Sequence, residues 1–186
     1  MSERPTSTVF VGISVDGFMA RPDGRFDFLP EHPEDHGFDA FMATVDALVM
    51  GRNTFEVVLP FETWPYGKTR VVVLSTRPLD LTAATARGAV VEQMSGTPEE
   101  IVASLGARGA RHLYVDGGDT IQRFMRAGLI DRLGITRVPV LIGEGISLFG
   151  AVARDVPLRH VQTRSFPSGL VQSEYEVVHR RLSDTT

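Results

Sequence analysis

Three short stretches of this 186-residue chain have the residue types to hold a phosphate, and each follows a run of apolar residues. Gly51-Arg52-Asn53-Thr54 comes after Ala47-Leu-Val-Met50: Arg52 can fork onto a phosphate, while Asn53 and Thr54 can donate to its oxygens. Ser75-Thr76-Arg77 sets two hydroxyls and a guanidinium at the end of the strand predicted for Arg70 to Ser75. Gly117-Gly118 stands between the strand Leu113-Tyr-Val115 and a helix whose apolar face is Ile121, Phe124 and Met125. Two adjacent residues without a Cβ let the chain turn sharply and let a ligand approach its backbone. The free N–H groups and positive dipole end of the new helix then face outward. Each stretch also has a plainer reading: Gly-Gly as a tight turn, Arg52 as a solvated side chain, Ser75 and Thr76 as the close of a turn before Pro78.

The elements that must position these stretches alternate. Thr8–Ser14 is predicted as a first buried strand, followed by a loop to Gly24 with two Asp-Gly turn signals. Phe38, Phe41, Met42 and Val45 keep the spacing of an amphipathic helix, with Asp35 as its N-cap or on the edge of its inner stripe. A short strand is predicted over Ala89–Glu92. Thr97, Pro98 and Glu100 then start a helix, as N-cap, N1 proline and capping-box partner. That helix continues through Ile101, Val102 and Leu105 and stops at Gly106 to Gly109; the one opened by Gly-Gly ends at Gly128. A strand-rich run, 131–142, is broken by Pro139, and Leu158–Thr163 and Leu170–His179 read as two antiparallel strands. This rhythm predicts an α/β fold: a mostly parallel sheet covered on both faces, with antiparallel strands at its end.

Composition narrows the function. The length suits one domain, residues 1–182 with a frayed tail at 183–186. A net charge of −4, with Lys68 the only lysine, argues against a nucleic-acid surface. There is no cysteine, hence no disulfide, thiol chemistry or Cys-ligated zinc. His32 and His36 have i, i+4 spacing but no His-Glu-x-x-His around them, so no metal is expected. Gly143-Glu-Gly145 is a fragment of a dinucleotide fingerprint with no helix after it. No apolar run is long enough to span a bilayer and no signal-peptide core is present, so a cytoplasmic protein is expected.

Taken in order, Val49-Met-Gly-Arg-Asn-Thr-Phe-Glu56, Val115-Asp-Gly-Gly118 and Pro139-Val-Leu-Ile-Gly-Glu-Gly-Ile-Ser-Leu-Phe149 resemble the dihydrofolate-reductase superfamily. The closer likeness is to the reductase domain of bacterial riboflavin biosynthesis and its stand-alone relatives, from Val9 to about Val178. The resemblance implies a dihydrofolate-reductase-like three-layer α/β/α fold and NADPH as cofactor. By it, Gly51 to Thr54 would lie on the pyrophosphate and 2′-phosphate side, and Ser75, Thr76 and Arg77 on the 2′-phosphate. Gly117, Gly118 and Thr120 would cradle the pyrophosphate from the other face, and the backbone from Phe18 to Ala20 would follow the nicotinamide. The reaction implied is hydride transfer to a C=N or C=O carbon of a pyrimidine- or pterin-like heterocycle. Asp35 falls where dihydrofolate reductases link an acid to the proton, with Asp39 as the alternative. Asp116 falls where the riboflavin branch places a substrate-binding acid, though as Asp rather than the commoner Glu. The branch also implies a homodimer, with the late antiparallel strands as its interface. The nearest named activity is reduction of 5-amino-6-(5-phosphoribosylamino)uracil. Dihydrofolate reduction and NADPH binding without catalysis are the alternatives.

Overall fold

The computed structural model describes residues 4–30 and 35–179. His32, Arg180-Arg181 and the 183–186 tail lie outside the described residues. The strands are β1 (Thr6–Ser14), β2 (Phe18–Ala20), β3 (Ala47–Gly51), β4 (Arg70–Leu74), β5 (Val91–Met94), β6 (His112–Asp116), β7 (Arg132–Val138), β8 (Ile146–Ser147), β9 (Leu158–Ser165) and β10 (Val171–Val177). The helices are α1 (Phe38–Met42), α2 (Arg52–Val58), α3 (Thr82–Thr85), α4 (Pro98–Ala107) and α5 (Gly118–Arg126).

Among the described residues, one eight-stranded sheet runs in the order β5-β4-β3-β6-β1-β7-β10-β9. The pairs from β5 to β7 are parallel, and β10 and β9 add antiparallel strands beyond β7. The middles of β3, β4 and β6 are continuous apolar runs because both their faces are covered. Val49, Val72, Leu113 and Val115 face Ile101, Leu105, Ile121 and Phe124 of α4 and α5. Their neighbours Leu48, Met50, Val71, Val73 and Tyr114 face Phe55 and Val58 of α2 and the Trp64–Tyr66 pair. The sheet is thus the middle of three layers, as the alternating pattern predicts.

Parallel pairing brings the phosphate-suited stretches to one edge. Gly51 is level with Leu74, and Met50 with Asp116. Ser75-Thr76-Arg77 and Gly117-Gly118 therefore flank Gly51-Arg52 within about 10 Å, two strand spacings.

Three elements depart from the sequence reading. The α1 helix stops at Met42 rather than continuing to Val45, because the Thr44 hydroxyl bonds the Phe41 carbonyl at 2.7 Å and closes a turn. Val45 is buried all the same. The strand expected over Ala89–Glu92 begins at Val91, since the Ala89 N–H is used by the Ala84 carbonyl to close α3. Finally β2, inside the predicted loop, pairs with β8 inside the Gly143–Phe149 motif.

Candidate active site

A cavity of about 370 Å³ opens at the C-terminal edge of β1 and β6, on the α2 face of the sheet. Its floor is made of alternate residues of two adjacent strands, Phe10 and Gly12 from β1 and Tyr114 and Asp116 from β6. Asn53, Thr54 and Val57 of α2 form one wall, and Phe26, Leu29 and Phe38 another. Gly12 leaves room for Leu29, which closes down on β1: a Cβ there would lie 2.8 Å from the end of that side chain.

The turn from β6 into α5 is built around close approach. Gly117 has φ 89°, and a Cβ on it would sit 2.3 Å from the Thr54 hydroxyl oxygen. Thr120, buried at the start of α5, brings its hydroxyl 3.0 Å from where Gly51 would carry a Cβ. The starts of α2 and α5 therefore touch through glycine backbone. Neither the Thr54 nor the Thr120 hydroxyl has a hydrogen-bond partner among the described residues.

The Gly143–Phe149 motif holds the loop after β1 against this turn. Asp16 accepts from the Ile142 and Gly143 N–H groups, the latter at 2.8 Å. Gly145 lies so close to the Ala20 carbonyl oxygen that a Cβ would be 2.2 Å away. Ser147 accepts through its carbonyl from Gln122 of α5 at 2.9 Å. Ala20 and Gly118 consequently line the same cavity.

Asp116 is the acid at the floor. It is half-buried, and burial pushes its carboxyl up to about 6 although the Gly117 N–H donates to Oδ1 at 2.8 Å. Tyr66, also lining the cavity, has its phenol raised first by burial and then by the Asp116 charge.

Of the residues singled out from the sequence, Ala20, Asn53, Thr54, Asp116, Gly117 and Gly118 line this one cavity. Gly51 and Thr120 lie directly behind the turn. Arg52 sits at the shared strand edge with its guanidinium on Glu56 at 2.7 Å. Ser75 closes its own turn, donating to the Arg77 carbonyl at 2.7 Å, while Thr76 and Arg77 are exposed. Among the described residues no carboxylate pairs with Arg77. Asp35 does not line the cavity: it is exposed, and its carboxylate accepts from the Gly37 N–H at 2.9 Å ahead of α1. Asp39 is exposed on α1.

Sequence reasoning missed the aromatic wall and Gln93. The Gln93 side chain donates to the Ser75 and Arg77 carbonyls, each at 2.9 Å, and accepts from the Leu79 N–H, so it shapes the loop that presents Arg77. A polar residue inside the short strand β5 was the available signal.

The donor set suits a phosphorylated dinucleotide: a glycine turn at a helix start, two unengaged hydroxyls, and an exposed arginine on the same strand edge. Among the described residues no helix is long and apolar enough to cross a membrane.

Comparison with known proteins gives the lineage. The family model for the RibD C-terminal domain matches residues 5–172. The solved structure of a proposed riboflavin biosynthesis protein from Shewanella sp. PV-4 is 37% identical with a TM-score of 0.85, over 94% of this chain and 99% of that one. A diaminohydroxyphosphoribosylaminopyrimidine deaminase/5-amino-6-(5-phosphoribosylamino)uracil reductase from Thermotoga maritima is 16% identical with a TM-score of 0.75, over 94% of this chain and 57% of that one. Dihydrofolate reductase from Enterococcus faecalis, complexed with NADP(H), is 19% identical with a TM-score of 0.63, over 92% of this chain and 96% of that one. At such identities the last two share the fold. The chain belongs to the RibD C-terminal domain family, with the dihydrofolate-reductase-like three-layer architecture that these neighbours have in common.

Proposed function

We propose that this protein is a cytoplasmic NADPH-dependent reductase that transfers hydride to a C=N or C=O carbon of a pyrimidine- or pterin-like ring. The observation that carries the reading is Asp116, an acid with a pKa of about 6 at the floor of an apolar cavity, beside the glycine turn that opens α5. When bound, NADPH supplies the hydride. In this reading the Gly117-Gly118 turn, the Thr54 and Thr120 hydroxyls, and Asn53 hold its pyrophosphate, and Ser75, Thr76 and Arg77 meet the 2′-phosphate. The backbone at Ala20 would bound the nicotinamide end. Gly51 keeps the strand edge open, and Arg52 can turn from Glu56 towards a phosphate.

Reduction also needs a proton. With Oδ1 of Asp116 taken by the Gly117 N–H, Oδ2 is left to carry a proton or to accept from a ring N–H. A pKa near neutrality lets the same group do either. Asp35 and Asp39, both exposed, are the alternative proton sources. Of the activities carried by similar folds, the uracil reductase of the Thermotoga protein supports this reading more than dihydrofolate reduction does, because the family match is to its reductase domain. The same reading makes the protein a homodimer joined along β9, an edge strand exposed over its whole length.

The test is NADPH consumption, followed by its absorbance, with a panel of reducible pyrimidines and pterins. Arg77→Ala should weaken NADPH by about tenfold, on the order of a lost charged hydrogen bond, while leaving NADH within about twofold. Equal losses for both cofactors reject Arg77 as the reader of the 2′-phosphate. A protein that binds NADPH and oxidises it with no member of the panel is a binding protein only.

A further inference from the structure

Building on the reductase reading, we infer that the ring bound in this cavity carries no phosphate ester: the substrate is an uncharged planar heterocycle, unlike a phosphoribosylated uracil. The walls that meet the ring are Phe10, Phe26, Leu29, Phe38, Phe61 and Tyr66. Such walls stack on a planar ring and offer nothing to a dianion.

Among the described residues lining the cavity, the one acidic or basic side chain apart from His36 is Asp116, and its charge repels phosphate. The arginines of the loop between β2 and Leu29 do not line the cavity, and each pairs with a neighbouring aspartate. Arg21 is held by Asp27 at 2.5 Å and Arg25 by Asp23 at 2.7 Å. On the α2 side, Arg52 is the arginine that the reductase reading gives to the cofactor, and it does not line the cavity. Residues 31–34 read Glu-His-Pro-Glu in the sequence, without a lysine or arginine. A phosphate monoester near neutral pH carries close to two negative charges and takes its affinity from guanidinium forks, lysines or grouped N–H donors. The grouped N–H donors at this end of the molecule are those of the Gly117-Gly118 turn, which the reductase reading gives to the cofactor. Volume points the same way. About 370 Å³ is at the small end of ligand pockets and must admit the nicotinamide edge as well. A bare ring with N–H or exocyclic amine groups fits that space and has an acceptor in Asp116.

The test uses matched pairs on the NADPH-loaded protein near neutral pH: 6-hydroxymethyl-dihydropterin with its phosphate ester, and a ribitylamino-uracil with its 5′-phosphate. Trp64, the chain's one tryptophan, reports binding, since its ring meets Tyr66 of the cavity wall at 5.4 Å. In at least one pair the unphosphorylated member should bind about tenfold or more tightly than its ester. Val57→Arg, which sets a guanidinium on the α2 wall, should cut that preference by about tenfold. Esters that bind as tightly as the free rings, or no binding by any of the four compounds, overturn the inference. Following NADPH in the same mixtures separates the two readings. Preference for the free ring without NADPH oxidation rejects the reductase and upholds the ring class. Faster NADPH oxidation with an ester than with its free ring does the reverse.

Discussion

Asp116→Asn separates what burial does to this carboxyl from what the carboxyl does for a ligand. Its pKa is raised from 3.8 to about 6 because burial disfavours the charged form by more than the Gly117 N–H favours it. In the unfolded chain the carboxyl titrates at its ordinary value. Between about pH 4 and pH 6 the folded protein therefore holds a proton that the unfolded chain has released, and stability falls as pH rises across that window. Above it the penalty is constant. At about 1.36 kcal/mol per pH unit the full penalty is about 3 kcal/mol, and solvent reaching the carboxyl through the cavity mouth reduces it towards about 2 kcal/mol. Asparagine keeps an acceptor for the Gly117 N–H and carries no charge. Urea unfolding at a series of pH values should find the variant more stable than the parent by about 2 kcal/mol above pH 7, converging with it near pH 4. NADPH consumption with a heterocycle should fall by about 100-fold in the same variant, while NADPH affinity stays within about twofold. A stability difference independent of pH, or a variant less stable above pH 7 than the parent, refutes the burial argument. A variant that is stabilised and fully active removes Asp116 from the chemistry.

Three further outcomes are expected. Gly117→Ala meets a φ of 89° and the Thr54 hydroxyl oxygen at 2.3 Å; it should lose about 2 to 3 kcal/mol in urea unfolding together with most NADPH affinity. Gly109→Ala has a similar φ of 92° and open space around it, so it should lose only about 1 kcal/mol and leave NADPH binding intact. For the proposed dimer, Val161 is 47% exposed on the β9 edge. Val161→Asp should lower the mass in light scattering from two chains to one, and a parent that is already one chain at the same concentration rejects the interface.

The scaffold was legible because its signals are local and agree with one another. A strand buried on both faces must be apolar throughout, and Leu48-Val-Met50 and Val71-Val-Val73 are. A helix start needs its own caps, and Thr97 and Glu100 satisfy each other across three residues as the sequence implies. Even where the helical period failed after Met42, it still identified Val45 as a core residue, since burial and helicity are separate properties. The short pair β2–β8 gave no such signal. Its strands are three and two residues long and 126 positions apart at Ala20 and Ile146, so nothing in either stretch announces the other.

The cavity was legible only in the half that touches backbone. Gly117 and Gly51 are required where they stand, because a ligand or a neighbouring helix must come close there, and a missing Cβ can be seen in a sequence. The opposite half is made by ordinary large side chains from five segments, with Phe10, Phe26, Phe38, Phe61 and Tyr66 each reading locally as one more core residue. What distinguishes them is an unfilled space between them, and that is a property of the tertiary arrangement alone. The same logic explains Asp35. Its spacing places it beside a predicted inner helical stripe, but Asp and Gly two residues apart also make a self-satisfied turn, with the carboxylate on the Gly37 N–H. In a chain whose first helix is only five residues long, the turn is the cheaper solution, and it turns the carboxylate away from the cavity that His36 and Phe38 enter. The acid at the floor is then supplied from the strand side, by Asp116, where the rigid β6 fixes its position relative to the glycine turn.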